Sequence, residues 1–222
     1  MTVKKKILVL LLVISFFFVL LVGCAENGNK LEQGEDRTLK LGVLSLEDIL
    51  PMLVANEKGY FAKEKLKVEL IPFQSAVESQ TALQSGRIDG MMTDLIVAAL
   101  LKDTGTDLKV TSVTLEATGE NRRFAILVSP KSKITSLMEL QGKPLGISFN
   151  SVIEFVSDGI LKDGGVEPTG VEKTSIPKIP VRLEMLLNGK IEAATLPDPL
   201  AEFAELQGCR SIADDLGKNI SQ

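Results

Sequence analysis

The 222-residue chain contains no histidine and no tryptophan, one tyrosine and two cysteines. Without histidine there is no Ser-His-Asp triad, no Cys-His dyad and no imidazole to hold a metal. No catalytic residue, metal ligand or cofactor is assigned from the sequence. An excess of basic residues is also missing: 25 Lys and Arg stand against 29 Asp and Glu, a net charge of −4. A nucleic-acid footprint would be basic, so no nucleic-acid partner is expected. The cysteines, Cys24 and Cys209, are too few for a disulfide framework. Cys209, in "GCRSIADD", reads as a small apolar core residue in a buried strand.

The N-terminus is the first informative feature. Lys4, Lys5 and Lys6 precede an uncharged run of 16 residues from Ile7 to Val22. That is short for a bilayer span, which needs roughly 20. A charged start, an apolar run and small residues before a cut describe a secretory signal over 1–23. An N-terminal membrane anchor is the alternative. "LVGC", Leu21 to Cys24, resembles the lipobox of bacterial lipoproteins. The resemblance implies cleavage before Cys24, lipidation of Cys24, and an extracytoplasmic protein lipid-anchored to the bacterial cell membrane. Residues 25–38, "AENGNKLEQGEDRT", are polar and aperiodic, so 24–38 reads as a lipidated tether. Loss of the leader removes three lysines and leaves a net charge of about −7.

Two echoes organise the remainder. Gly86, Ile88 and Asp89 in "LQSGRIDGMMTD" match Gly189, Ile191 and Glu192 in "LLNGKIEAATLPD" at an offset of 103. Leu41-Gly42-Val43 is answered by Leu145-Gly146-Ile147, 104 residues later. The two landmarks lie 44 residues apart in the first unit and 43 in the second. Shared order and spacing predict one architecture used twice. The first unit reads strand 39–44, helix 51–58, strand 67–72, helix 75–85 and strand 88–92. The second reads strand 145–149, helix 151–162, strand 172–176, helix 179–187 and strand 191–195. Such alternation predicts an α/β protein with parallel sheets, here two lobes with a cleft between them. Gly86 and Gly189 sit where left-handed helix caps belong. The apolar run "RRFAILVSP", Arg122 to Pro130, is placed at the crossing. The boundaries drawn are 39–126 for lobe one and 127–216 for lobe two.

Ligands of open α/β sheets bind beyond the carboxyl ends of the strands. The corresponding loops are rich in carboxylates: Glu47, Asp48, Glu78, Asp94, Glu154 and Asp198. Glu47, Asp48, Asp94 and Asp198 suggest a ligand with amine-like donors. Arg122, Arg123 and Arg182 are the cations available for a sulfonate or carboxylate, each equally readable as a surface residue. Ser75 and Ser151 begin helices, as plain N-caps or as anion sites. Tyr60 and Phe61 read as packing residues behind Gly59, with a stacking pair as the alternative.

"VANEKGYFAKEKLKVELIPF", "ALQSGRIDGMMTD", "MELQGKPLGIS" and "LEMLLNGKIEAATLPDPLA" resemble the ABC-transporter solute-binding proteins for aliphatic sulfonates, taurine, nitrate and thiamine-pyrimidine precursors. The resemblance runs from about Leu39 to Asp215. It implies a type II periplasmic-binding fold, capture of a small molecule between the lobes and delivery to ABC permease subunits, by a monomer attached through its lipid. The family's cleft loops fall on Leu46, Glu47 and Asp48; Gln74, Ser75 and Ala76; Thr93 and Asp94; Asn150 and Ser151; Pro197 and Asp198. Family members run on beyond the position of Gln222 and return to lobe one. The chain is therefore expected to be C-terminally truncated, with 217–222 starting the return and lobe one left incomplete with apolar surface exposed. A sensor or partner-binding lipoprotein without a transporter is a second reading. A third is an enzyme like the thiamine-pyrimidine synthases or menaquinone-pathway proteins of the same fold. The synthases use a His and a Cys-rich motif that this chain lacks.

Overall fold

A computed structural model describes residues 37–115, 119–218 and 220. The expected leader (1–23), lipidation site (Cys24) and nearly all of the tether lie outside the described residues. From Thr38 onward the chain is one compact unit carrying two sheets.

The first sheet has three strands in the order β2-β1-β3, all parallel. They are β1 (Thr38–Leu44), β2 (Lys67–Phe73) and β3 (Gly90–Met91). Helices α1 (Leu50–Glu57), α2 (Tyr60–Lys63), α3 (Ala76–Gln84) and α4 (Leu95–Asp103) connect or follow them. Pro51 opens α1, where a missing N–H costs nothing.

The second sheet has five strands in the order β6-β5-β7-β4-β8. These are β4 (Phe124–Val128), β5 (Pro144–Ile147), β6 (Glu172–Ser175), β7 (Ala193–Pro197) and β8 (Arg210–Asp214). Its helices are α5 (Val152–Asp163), α6 (Ile179–Leu187) and α7 (Leu200–Leu206). This sheet is mixed, which corrects the all-parallel expectation. β4 lies antiparallel to both β7 and β8, while β5, β6 and β7 are parallel. All of β4 is hydrogen-bonded inside this sheet, starting upstream of the boundary drawn at 126/127. Asp215 Oδ1 pins its start, accepting from the N–H groups of Arg123 at 2.9 Å and Phe124 at 3.0 Å.

The echo has a physical cause. Both sheets order their shared strands second-first-third. Gly42 pairs with Ile71 and Met91; Gly146 pairs with Thr174 and Ala194. A Cβ on Gly42 would sit 2.7 Å from Ile88 Cδ1 and 3.0 Å from Phe73. A Cβ on Gly146 would sit 3.0 Å from Ile191 and 3.2 Å from Ile176. Each glycine leaves room for the isoleucine of the other motif, so the landmarks occur as a pair. The helix ends match as well. Gly86 and Gly189 have φ of +69° and +65°. Arg87 N–H returns to Ala82 O, and Lys190 N–H to Met185 O, closing the same Schellman turn in both lobes.

Packing is unequal. Lobe two buries clusters on both faces of its sheet. Ile126, Leu145, Ile147 and Ile160 pack on one face, and Leu127, Leu186, Leu196 and Ala201 on the other, all at 0% exposure. Lobe one centres on Val43, Ile49 and Met92. On lobe one Leu50 and Leu95 are more than half exposed. Tyr60 corrects an expectation: it is 51% exposed, with Lys63 Nζ 5.0 Å above its ring, so it covers no core. Cys209 is buried; burial, then Glu205, pushes its thiol pKa up and keeps it protonated.

Candidate functional site

The carboxyl ends of the strands in the two lobes meet along one seam. Gln74 follows β2, and its carbonyl accepts from Ile179 N–H at 3.0 Å, the first residue of α6. Beside it, Lys178 Nζ lies 3.0 Å from Glu78 Oε1. This lysine holds the Glu78 carboxyl below the usual carboxylate range. Stability from the pair is therefore present at neutral pH and lost as pH falls through the lowered pKa. At the other end of the seam Arg123 Nε lies 2.7 Å from Glu47 Oε1. Leu44 and Leu46 pack on the second lobe's Ala125–Leu127 cluster.

The expected loops fall on or beside this seam, with different roles. Ser75 caps α3, its Oγ accepting from Glu78 N–H, and Ala76 begins that helix. Glu78 reaches back to Gln74 N–H at 3.0 Å, and Glu154 reaches Asn150 N–H at 2.9 Å. Asn150 adopts φ +53°, turning the chain from β5 into α5. Ser151 occupies the N-cap position of α5, but its Oγ donates to Ser148 O at 2.8 Å and caps nothing. Thr93 is exposed, and Pro197 is the buried end of β7. Asp48 is half-buried with Oδ1 unpartnered, and burial raises its pKa against the pull of Arg123.

Asp94 caps α4, accepting from Val97 N–H at 2.8 Å. The backbone N–H of Val152, at the start of α5 in the other lobe, also favours its charged form. Burial nevertheless outweighs these bonds and raises its pKa. A carboxyl with a raised folded pKa adds stability at low pH and loses it as pH rises through that pKa. Asp94→Asn keeps a good cap and removes the charge. The variant is expected to melt above wild type at pH 7, with the gap closing as pH falls toward 4. Each 1 kcal/mol gained corresponds to roughly 2–4 °C in a chain of this size. Melting curves across that range would check it, and a lower melting point at pH 7 would contradict it.

Asp198 is engaged by protein. Arg122 grips it with both arms of its fork, Nε to Oδ2 at 2.9 Å and Nη2 to Oδ1 at 3.1 Å. The same Nη2 lies 2.7 Å from Glu205 Oε2. Of the four carboxylates that suggested an amine-bearing ligand, Glu47 and Asp198 are thus paired with arginines and Asp94 with backbone amides.

Arg182 stands out among the three arginines. It is 0% exposed. The sequence carried a signal for this: Ile179, Arg182, Leu183 and Leu186 fall at i, i+3, i+4 and i+7 on α6, and all four are buried. Among the described residues no group of Cys, Asp and Glu is placed to hold a metal. No helix there is long and apolar enough to cross a membrane.

These two sheets, with strand ends meeting between them, define a type II periplasmic-binding fold. Solved structures share it at low identity. The periplasmic aliphatic sulphonate binding protein SsuA from Escherichia coli matches with a TM-score of 0.62 and 23% identity, covering 81% of this chain and 57% of that one. The alkanesulfonate-binding protein SsuA from Xanthomonas axonopodis pv. citri, bound to MOPS, gives 0.70 and 19%, covering 84% and 64%. PhnD1 from Prochlorococcus marinus (MIT 9301), in complex with methylphosphonate, gives 0.60 and 13%, covering 80% and 73%. The chain thus spans 57–64% of the length of the two SsuA proteins. Comparison with curated proteins finds no match. The NMT1/THI5-like family model matches residues 47–211, and the chain belongs to that family.

Proposed function

We propose that this chain is a solute-binding protein of an ABC importer, capturing a small molecule between its lobes and handing it to permease subunits. The observation that carries the reading is the seam. Gln74, Glu78 and Glu47 of one lobe meet Ile179, Lys178 and Arg123 of the other where α/β ligands bind. The relatives support it, being sulfonate- and phosphonate-binding proteins of this fold. The solute is held by Leu46–Asp48, Gln74–Ala76, Thr93 and Asp94, Asn150 and Ser151, and Pro197 and Asp198. Cys24 carries the lipid, the protein works outside the cytoplasm as a monomer, and it performs no chemistry on its ligand. Lobe one extends from 39 and lobe two ends near 216.

A thermal-shift screen of sulfonates, nitrate, aminopyrimidines and amino acids tests the binding. A ligand at about 100 times its Kd adds roughly 2.7 kcal/mol, or about 5–10 °C at this chain length. The ligand should be recovered unchanged; a converted product would favour an enzyme. Labelling with an alkyne fatty acid should mark wild type and spare Cys24→Ser. Equal labelling of both would remove the anchor from the proposal.

A further inference from the structure

The amino ends of the parallel strands of lobe one point away from the seam. β1 is seven residues long, so these ends lie about 20 Å from it. Thr38 pairs with Lys67 there, and Leu41 pairs with Gly90, three residues after Arg87. The chain preceding Thr38 therefore joins lobe one beside Lys67. Lys58 to Lys67, "KGYFAKEKLK", crosses the same end and holds four lysines and one glutamate. All four lysines are exposed. Asp89, an acid at this end, turns its Oδ2 onto Lys40 N–H at 2.9 Å. In a chain whose net charge is about −7 once the leader is lost, this rim is a basic island.

Two exposed apolar side chains stand within the island. Tyr60 is 51% exposed and Leu66 is 49% exposed. Lys63 Nζ lies 5.0 Å above the Tyr60 ring. Leu66 N–H donates to Phe61 O at 2.8 Å, which turns the chain back at the end of α2. That turn differs from its counterparts. Helices α3 to α7 end in the same pair of hydrogen bonds with a glycine in the left-handed place: Gly86, Gly105, Gly165, Gly189 and Gly208. At the end of α2 the place is held by Lys65, with φ +58°. A side chain is disfavoured in that conformation, and a backbone outlier of this kind points to a use. Here lysine costs stability and sets one more cation on the rim. Tyrosine, leucine and lysine together suit a bilayer interface. The ring lies at headgroup level, and lysine stems follow apolar surface while their ammonium groups reach the phosphates.

We propose that this rim seats lobe one on an anionic bilayer surface. Lys58, Lys63, Lys65 and Lys67 lie among lipid phosphates, with Tyr60 and Leu66 in the headgroup layer. Charge selects the occupant: an acidic chain is repelled by such a surface except at a basic island. The seated pose turns the cleft to the medium for capture, and the protein must lift from it to reach a permease. The inference goes beyond the solute-binding reading, and the seating itself stands without it.

The test is partition onto vesicles of phosphatidylcholine with and without phosphatidylglycerol. It uses the chain from residue 24 with Cys24→Ser, which carries no lipid and keeps the whole compact unit from Thr38 onward. Binding should require phosphatidylglycerol and weaken as salt rises. Lys65→Gly should melt no lower than wild type, having lost a left-handed side chain, yet bind about fivefold more weakly. Adding Lys63→Gln should bring the loss to roughly 25-fold. The chain has no tryptophan, so Tyr60→Trp reports a single position. Its emission should shift to the blue on phosphatidylglycerol vesicles. Met138→Trp, at a lobe-two position that is 55% exposed, should show no shift. Absence of binding to phosphatidylglycerol would overturn the inference, as would equal binding by wild type and Lys65→Gly, or equal shifts at 60 and 138. None of these outcomes bears on the thermal-shift screen, so the solute-binding reading stands or falls separately.

Discussion

Amide hydrogen exchange is expected to divide the chain into a slow half and a fast half. Amides of β4 and β7, in which every residue is buried, should exchange at least about a hundredfold more slowly than those of β1 and β2. A hundredfold corresponds to about 2.7 kcal/mol of extra opening free energy. The cause is the difference in cores. β4 lies between two hydrogen-bonded neighbours, with Ile126 and Val128 facing one apolar cluster and Ala125 and Leu127 another. β1 is also central in its sheet, but β3 pairs with it only at Gly90 and Met91. Beneath it Val43, Ile49 and Met92 form a small cluster. Few buried apolar contacts mean cheap local opening. Mass-spectrometric exchange on the ligand-free chain would read this directly. Equal protection of β1 and β4 would show that the first lobe draws its stability from contacts other than its own core.

Asp198→Asn is expected to lower stability by about 2–3 kcal/mol in the absence of any ligand. Removing one partner of a fully buried pair costs about 3–5 kcal/mol. Arg122 and Asp198 keep 18% and 14% side-chain exposure, which places the loss at or below that range. At roughly 2–4 °C per kcal/mol, the melting point should fall by about 5–10 °C. Arg122→Ala should cost at least as much, because Glu205 also loses its partner. The double variant should lose less than the sum, since both changes break one network. Asp198 also accepts from Glu202 N–H at 3.0 Å, so the network ties the start of α7 to the strand entrance at Arg122. A melting point unmoved by Asp198→Asn, with ligand affinity reduced, would show that Asp198 acts on the solute without stabilising the ligand-free fold.

The sequence showed most of the fold through its punctuation. Gly86 and Gly189 marked helix ends because only a left-handed residue closes those turns without strain. The 104-residue echo of Gly42 in Gly146 marked the first strand of each lobe, because an isoleucine packs onto both. β8 was legible only as a strand somewhere in "GCRSIADD", without bounds or partner: "RSIAD" has two apolar residues in five and no strict alternation. Its antiparallel place beside β4 is decided by pairing across 82 to 89 residues, which no local window contains. The loops of the site were legible from strand ends. The occupancy of their side chains was not, because Arg122 meets Asp198 across 76 positions. Arg182 was visible as a cation, but its burial only becomes apparent when its position on α6 is read as a stripe with Ile179, Leu183 and Leu186.

The shared cap-and-strand unit also sets a limit on recombination. A splice replacing 189–195 by 86–92 would preserve the turn, since Gly86 and Gly189 differ by only 4° in φ. It would preserve the register, since Met91 and Ala194 occupy the same place beside their glycines. It would also set Gly90, Met91 and Met92 in place of Ala193, Ala194 and Thr195, three residues with 0% exposure. Two methionines would then compete for space that holds an alanine and a threonine, and overpacking of this kind typically costs about 1–3 kcal/mol. The lobes are interchangeable as backbone traces and incompatible as packed interiors, so an exchanged segment would need compensating changes in its new neighbours before the hybrid could match either parent.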